Sequence, residues 1–153
     1  MASAAEQKLA ELGHTIPDAP APAANYVPFV ISGNLVFVSG QISMASGGLI
    51  TGKLGADMSI DGGRLAAESC ALNLIAQLRA AIGDLDRLVR VVKLSGFVNS
   101  TPDFTDHPEV INGASDLFGT VFGDKGAHAR AAVGVAALPR GVAVEIEGIF
   151  EIA

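Results

Sequence analysis

Two charged residues stand inside otherwise apolar, β-branched segments near the C-terminus. Arg130 opens the segment 129–136, and Glu145 lies within the segment 142–152. A charge in a buried strand costs free energy unless a partner group compensates it. The connector Leu138-Pro139-Arg140-Gly141 could bring the two strands together. These residues therefore predict either a buried or interfacial Arg–Glu pair, or a chemical site that uses both charges.

Other common kinds of chemistry have no matching motif in the chain. There is no P-loop, no dinucleotide-binding glycine fingerprint, no Gly-x-Ser-x-Gly elbow and no Cys-x-x-Cys pair. His14, His107 and His128 do not fall at metal-ligand spacing, so we expect surface or capping roles and no zinc site. Cys70 has no activating base beside it and is predicted to be a small buried side chain.

The segments that must position these charges alternate between helix-like and strand-like patterns. The predicted elements, in chain order, are a helix over 3–12, an extended arm over 17–24, a hairpin of strands 26–32 and 35–42, a helix over 64–82, a strand over 88–98, a helix over 108–122, and strands over 129–136 and 142–152. Gly33-Asn34 supplies the hairpin turn. The glycine-rich stretch 45–63 is predicted to be a mobile loop or an irregular edge at the surface.

This order of elements predicts one α+β domain, ββ-α-β-α-ββ, with two helices on one face of a mixed sheet. The other face then stays uncovered. Hydrophobic residues make up 50% of the chain and charged residues 17%, which is apolar for a protein that covers itself with polar surface. We therefore expect a partner, most simply a second copy of the chain, on the open face.

Composition also bears on location and partners. No run of about 18 apolar residues occurs, so no membrane-spanning helix is expected. The N-terminus lacks the pattern of a secretory signal, and the single cysteine fits a reducing compartment, so a cytoplasmic location is expected. The net charge of -6 should repel phosphate backbones, which makes nucleic acid an unlikely partner.

Three segments, in the correct order, resemble the RidA/YjgF superfamily of reactive imine/enamine intermediate deaminases. They are Ala23-Ala-Asn-Tyr26-Val, Val36-Phe-Val-Ser-Gly-Gln-Ile42 and Arg130-Ala-Ala-Val-Gly-Val-Ala-Ala-Leu-Pro-Arg-Gly-Val-Ala-Val-Glu145-Ile-Glu147. The resemblance covers residues 20–153, and residues 1–19 form an N-terminal helix and arm in front of it. It implies a chorismate-mutase-like fold, a homotrimer, and ligand sites in the clefts between subunits.

The resemblance also implies an activity, the hydrolytic deamination of 2-imino or enamine acids to 2-oxo acids and ammonia, without a cofactor. On the matching positions, Arg130 would bind the substrate carboxylate through its planar guanidinium fork. Glu145 would orient or activate the attacking water. Tyr26 would line the cleft, and Ser39 with the backbone of Gly40 would supply polar contacts.

Two further positions map to the family site with departures. Ala132 replaces a cysteine that is frequent in the deaminase branch, although a backbone contact there would survive. Asn112 matches near the start of the second helix. The N-terminal helix and the long connector 99–108 indicate a divergent branch, whose substrate can differ.

Two alternatives stay open at the level of sequence. One is a non-catalytic module that binds a small carboxylate metabolite through Arg130. The other is an endoribonuclease or translation inhibitor, against which the acidic balance and the absence of a basic, aromatic-rich stretch count.

Overall fold

The computed structural model describes residues 2–22 and 24–153; Met1 and Ala23, the latter part of the predicted arm, lie outside the described residues. The helices are α1 (Ala4–Glu11), α2 (Ile60–Ile82) and α3 (His107–Phe122). The strands are β1 (Phe29–Ser32), β2 (Leu35–Ile42), β3 (Met44–Ala45), β4 (Gly48–Leu49), β5 (Leu88–Asn99), β6 (Ala129–Val135) and β7 (Val144–Ile152). The predicted α+β class and the order of the main elements are confirmed.

The main sheet has five strands in the order β1-β2-β7-β5-β6. β5 and β6 are parallel and are joined through α3, whereas β7 runs antiparallel to both β2 and β5. The last two strands, which were expected to lie near one another, belong to the same sheet but are not paired, because β5 lies between β6 and β7. A parallel crossover through α3 places β6 at the edge, and β7 returns through the middle of the sheet.

Helices α2 and α3 cover one face of the sheet and bury the core. Alternate residues of β7, namely Val144, Ile146 and Phe150, are fully buried beneath them. One helix, α2, has the length and hydropathy of a membrane span, but 67% of that stretch is buried inside the fold. Burial of this extent is typical of a helix in the core of a domain.

The glycine-rich stretch is more ordered in structure than its composition predicts. It contains the β3–β4 hairpin, and α2 begins at Ile60, where the Ser59 hydroxyl accepts a hydrogen bond from the Gly62 amide. Lys53 ties the stretch to the sheet, because its ammonium donates to Asn99 Oδ1 at 2.6 Å and to the Ala136 carbonyl at 2.7 Å. Of the two predicted forms, a mobile loop over the whole of 45–63 is therefore wrong.

The β1–β2 hairpin is confirmed, with Gly33 at φ 62° in its turn. Its first strand begins at Phe29, later than predicted. Pro28 has no amide hydrogen to donate to a ladder, and the carbonyls of Val27 and Pro28 instead accept the Ser39 hydroxyl at 2.8 Å and the Ser39 amide at 2.9 Å. Residues 26–28 thus run beside β2 without forming a strand.

Helix α1 packs onto the domain through Ala5 and Leu9, both buried. Its N-terminus is capped by the Ser3 hydroxyl, which accepts from the Glu6 amide, and the Ala4 amide donates to Asp86 Oδ1 at 3.0 Å. Residues 12–22 and 24–28, the described part of the chain between α1 and β1, contain no helix or strand and form an extended arm.

The second face of the sheet carries exposed apolar side chains. Val30, Phe37 and Val133 are exposed by 51%, 40% and 46%. Val30 and Phe37 are paired across β1 and β2, so they form one continuous patch. This is the uncovered face that the order of elements predicts.

The α2–α3 contact depends on one glycine, and a pair of substitutions tests this. A Cβ at Gly113 would overlap the Arg64 carbonyl of α2, whereas Gly119, on the same helix, has open space around it. We expect Gly113→Ala to destabilise the fold by about 1–3 kcal/mol through overpacking. Gly119→Ala should stabilise it by about 0.5–1 kcal/mol, because alanine loses less backbone entropy in a helix. Urea denaturation of both variants measures the difference, and equal effects would contradict the close helix contact.

Candidate functional site

Glu145 lies on the open face of the sheet, near the start of β7. It alternates with Val144 and Ile146, which are buried under the helices, so its side chain points to the opposite side. Its strand neighbours are Ile42 of β2 and Phe97 of β5. The carboxylate is half-buried, and within the described part of the chain it has no ion-pair partner.

A glycine in β2 makes room for this carboxylate. The pairing of β2 with β7 shifts register between Val38 and Gln41, which places Ser39 and Gly40 in a bulge. A Cβ built on Gly40 would overlap the Glu145 carboxylate. A side chain at this position would displace the Glu145 carboxylate from the backbone of β2.

Two effects raise the pKa of Glu145 above its ordinary value. The larger is burial, which disfavours the charged form, and the smaller is repulsion by the nearby Glu147 carboxylate. A carboxylate with a raised pKa is a better proton acceptor than one at the surface. At a given pH, Glu145 therefore holds a proton more readily than an exposed glutamate does.

Cys70 offers no competing nucleophile. It is fully buried in α2, as predicted, and burial raises the pKa of its thiol well above the usual range. The thiolate that nucleophilic chemistry needs is therefore strongly disfavoured.

Glu145 lines a cleft of about 810 Å³. Three other residues predicted for the site, Tyr26, Ser39 and Gly40, line the same cleft. Together with Glu145 they form the cluster that we call the Glu145 group. Two charged residues that were not predicted for the site, Arg140 and Glu147, also line the cleft.

The second cluster surrounds Arg130 on the edge strand β6. Arg130 Nη1 donates to Asn112 Oδ1 at 2.8 Å and to Ser115 Oγ at 3.1 Å, both on α3, so its side chain lies on the helix-covered face. Ala132 lies two residues further along β6, on the same face, and packs partly against the core. We call Arg130, Asn112, Ser115 and Ala132 the Arg130 group.

A histidine extends the contacts of Arg130. His128 Nδ1 lies 2.6 Å from the Gly126 carbonyl, which can only accept, so Nδ1 carries a proton. In the neutral ring Nε2 is then an acceptor, and it takes the Ser115 hydroxyl hydrogen at 2.9 Å. The hydroxyl oxygen stays free to accept from Arg130. Ser115 and His128 therefore hold the guanidinium in place.

The two groups do not meet within one chain. Arg130 is on the helix-covered face of an edge strand, Glu145 is on the open face of the central strand, and β5 separates the strands. The alternative of a buried Arg130–Glu145 pair inside the chain is therefore wrong. The physical reason is the alternation of side chains across a sheet, which places the two charges on opposite sides.

Sequence reasoning missed several residues that contact the site. Ser115 and His128 were assigned no part in it, although His128 directly precedes the predicted strand 129–136, and extended backbone there would place it on the same face as Arg130. His128 has a structural role here, and His107 likewise bonds Ser100 Oγ at 3.2 Å. Arg140 was visible as a charge between Pro139 and Gly141, and its positive φ of 58° has no sequence signal.

Across residues 2–22 and 24–153 no group of three or more His, Cys, Asp or Glu side chains is arranged to hold a metal ion.

Comparison with known proteins identifies the family. The family model described as "YjgF/chorismate_mutase-like, putative endoribonuclease" matches residues 6–144. This chain therefore belongs to the RidA/YjgF family. The crystal structure of Atu1372, a protein of unknown function from Agrobacterium tumefaciens, has a TM-score of 0.92 at 52% identity and covers 98% of this chain and 94% of its own. The predicted chorismate-mutase-like fold is thereby confirmed.

Two relatives place the chain within the family. Protein TCP17 of Trypanosoma cruzi is 53% identical over 146 residues, which are 94% of this chain and 91% of that protein. A 2-iminobutanoate/2-iminopropanoate deaminase of Dermatophagoides farinae is 32% identical over 138 residues, 89% of this chain and 92% of that protein. The chain is thus similar along almost its full length to a protein named for imine deamination.

The raised pKa of Glu145 predicts how stability depends on pH. Because the folded state holds the Glu145 proton more tightly than the unfolded chain, this group favours folding below the ordinary glutamate pKa, and that contribution is lost as pH rises through the folded pKa. Glu145→Gln should remove this pH-dependent loss of stability. At pH 7 we expect the variant to be more stable by less than about 1 kcal/mol, since the group is only half-buried, or roughly 1–3 °C in Tm. At pH 4 the difference should vanish, and calorimetry at both pH values measures it. A large loss of stability in the Glu145→Gln variant at pH 7 would contradict the raised pKa of Glu145.

Proposed function

We propose that this protein hydrolyses reactive 2-imino and enamine acids to 2-oxo acids and ammonia, at sites formed between two copies of the chain. The observation that carries the proposal is the placement of the two charges on one sheet: Arg130, held by Asn112 and Ser115, lies on the helix-covered face, and the half-buried Glu145 carboxylate lies on the open face. Neither group completes a site alone. A second copy can place its Arg130 group opposite the Glu145 group of the first.

Arg130 is proposed to bind the substrate carboxylate. Its guanidinium presents five donors in a planar fork, and the contacts to Asn112 and Ser115 are both made by Nη1. The donors of Nη2 and Nε remain for a carboxylate, which accepts two parallel hydrogen bonds in this geometry. The charge of the substrate would also compensate the guanidinium at the edge of the sheet.

Glu145 is proposed to handle the protons of the reaction. Its carboxylate takes a proton from water as the water oxygen bonds to the carbon of the protonated imine and the C=N pair moves onto nitrogen. The resulting carbinolamine receives that proton on nitrogen, the C–N bond breaks, and the hydroxyl oxygen forms the C=O bond as its proton returns to Glu145. One imine and one water give one 2-oxo acid and one ammonia. An enamine enters the same route after protonation at carbon.

The uncovered apolar face supports the assembly that this site needs. Val30, Phe37 and Val133 are exposed in the single chain, and an apolar patch of this kind is typical of a subunit interface. Arg130 and Glu145 belong to different surfaces, so the contact is head-to-tail, and such a contact gives a closed ring when the rotation between copies closes. We propose the homotrimer that the family resemblance implies.

A second candidate is binding of a small carboxylate metabolite without catalysis. It needs Arg130 but no proton acceptor, so the raised pKa of Glu145 favours the enzyme. Endoribonuclease activity, which the printed description of the family includes, has less support, because the cleft carries Glu145 and Glu147 and the chain has a net charge of -6.

The role of Glu145 is tested by removing its basicity while keeping its size. We expect Glu145→Gln to lower kcat for hydrolysis of 2-iminopropanoate by about 10²- to 10⁴-fold, the usual contribution of a general base. The affinity for pyruvate should change little. Glu151→Gln, on the same strand and face but paired with Asn34, is the matched control and should keep full activity. Unchanged turnover in a folded Glu145→Gln variant would refute the catalytic role.

The shared site is tested by mixing two inactive variants. Arg130→Ala chains and Glu145→Gln chains should each form inactive trimers, whose size light scattering checks. In trimers assembled from equal amounts of both, each site draws its arginine and its glutamate from different chains, so roughly a quarter of the sites should be intact and active. Recovery of ammonia release to about that level is the expected result. Mixed trimers that stay inactive would place both residues' functions within one chain, or exclude catalysis by the pair.

A further inference from the structure

The cleft that contains Glu145 extends well beyond the reacting groups. β1 pairs with β2 only from Leu35 to Val38, and Ser39 bonds Val27 and Pro28, so among the described residues the edge of β2 from Gly40 to Ile42 has no strand beside it. The cleft follows that edge and reaches from Glu145 on the open face to Gln77 of α2 on the helix side. It therefore has room for more than a carboxylate and a water.

The extended part of the cleft is mainly apolar. Its walls come from the N-terminal arm, the end of β2 and the β3–β4 hairpin. The apolar lining residues are Pro20, Ala21, Pro22, Ala24, Pro28, Ile42, Met44 and Leu49. We call this region the arm compartment. Its proline-rich wall has few backbone conformations open to it, so little entropy is lost when a ligand contacts it.

A buried glutamine holds the arm in this position. Gln77 is 1% exposed, and its Nε2 donates to the Pro20 carbonyl at 2.6 Å. Gln77 also lies 3.5 Å from Gln41 Oε1, and Gln41 Nε2 donates to the Ser39 carbonyl at 2.9 Å. A continuous chain of polar contacts thus connects the arm to the bulge that accommodates Glu145. The arm is built into the site.

The size of the cleft bears on its ligand. Pockets on the order of 300–1,000 Å³ enclose drug-sized ligands, and this cleft measures about 810 Å³. A three-carbon imino acid would leave the arm compartment empty or filled with water. Its apolar walls offer few hydrogen bonds to such water, so an apolar ligand group would displace it favourably.

We propose that the arm compartment binds the side chain of the substrate and selects 2-imino acids with branched aliphatic or aromatic side chains. This inference rests on the proposed function, in which Arg130 holds the carboxylate and Glu145 lies at the imine carbon. The side chain then extends past the Gly40 bulge along the free edge of β2. The arm and Gln77 are specificity-determining parts of the site.

The selectivity is measured with imines made in situ from L-leucine, L-phenylalanine and L-alanine by an amino acid oxidase. We expect kcat/KM for the leucine and phenylalanine imines to exceed that of the alanine imine by at least about tenfold, since even one methylene in an apolar pocket gives a factor of about 10–200. Equal values for all three would overturn the inference and leave the proposed deaminase intact.

Two variants with matched controls assign the preference to the compartment. Gln77→Leu removes the donor that holds Pro20. The preference, measured as the ratio of kcat/KM for the leucine imine to that for the alanine imine, should fall by about fivefold, the factor that corresponds to one neutral hydrogen bond. Gln7→Leu, which removes an exposed glutamine donor to the Ala2 carbonyl, should leave the preference unchanged. Leu49→Trp should lower kcat/KM for the leucine imine more than for the alanine imine, whereas Leu65→Trp, on the outer surface of α2, should not.

Binding separates failure of this inference from failure of the proposed reaction. If the protein hydrolyses no imine, calorimetry with 4-methyl-2-oxopentanoate and pyruvate still reports on the compartment. Tighter binding of the larger 2-oxo acid, weakened by Leu49→Trp, would support the inference for a non-catalytic binder. Equal or absent binding of both acids would overturn it, including the case in which a second copy of the chain fills the compartment.

Discussion

The alternation of side chains across the central sheet is the constraint on which the rest of the site depends. β7 lies between β2 and β5, so its residues point in turn to the helices and to the open face. Val144 and Ile146 belong to the core, and Glu145 between them is therefore directed away from it. The same rule directs Arg130 toward α3. One chain thus presents the two charges on opposite surfaces, and a site that uses both needs two chains.

Each half of the proposed site is held in place by its own set of groups. Glu145 is accommodated by the absence of a side chain at Gly40, and its carboxylate is partly desolvated there, which raises its pKa. Arg130 is held by hydrogen bonds to Asn112 and Ser115, with His128 behind them. A backbone bulge shapes one half and a polar side-chain network shapes the other. Both halves are positioned by strands of the same sheet.

The N-terminal arm connects the stability of the fold to the shape of the cleft. Helix α1 anchors one end of the arm by burying Ala5 and Leu9, and Gln77 holds the other end through the Pro20 carbonyl. A buried glutamine is stable only where its polar atoms are satisfied, and here those partners lie in the arm and in Gln41. The packing of α2 therefore has a direct consequence for the walls of the site.

The sequence alone determined the α+β class, the order of helices and strands, the hairpin at Gly33 and the two charges, because local periodicity and turn chemistry carry that information. It also carried the family motif, which supplied the proposed site residues from Tyr26 to Glu145 but not Ser115, His128, Arg140 or Glu147. Only the tertiary structure decided that β5 separates β6 from β7, that Gly62 and Gly63 belong to α2, and that Ser115 and His128 support Arg130. Strand order and contacts between distant residues depend on long-range packing, which no local pattern encodes.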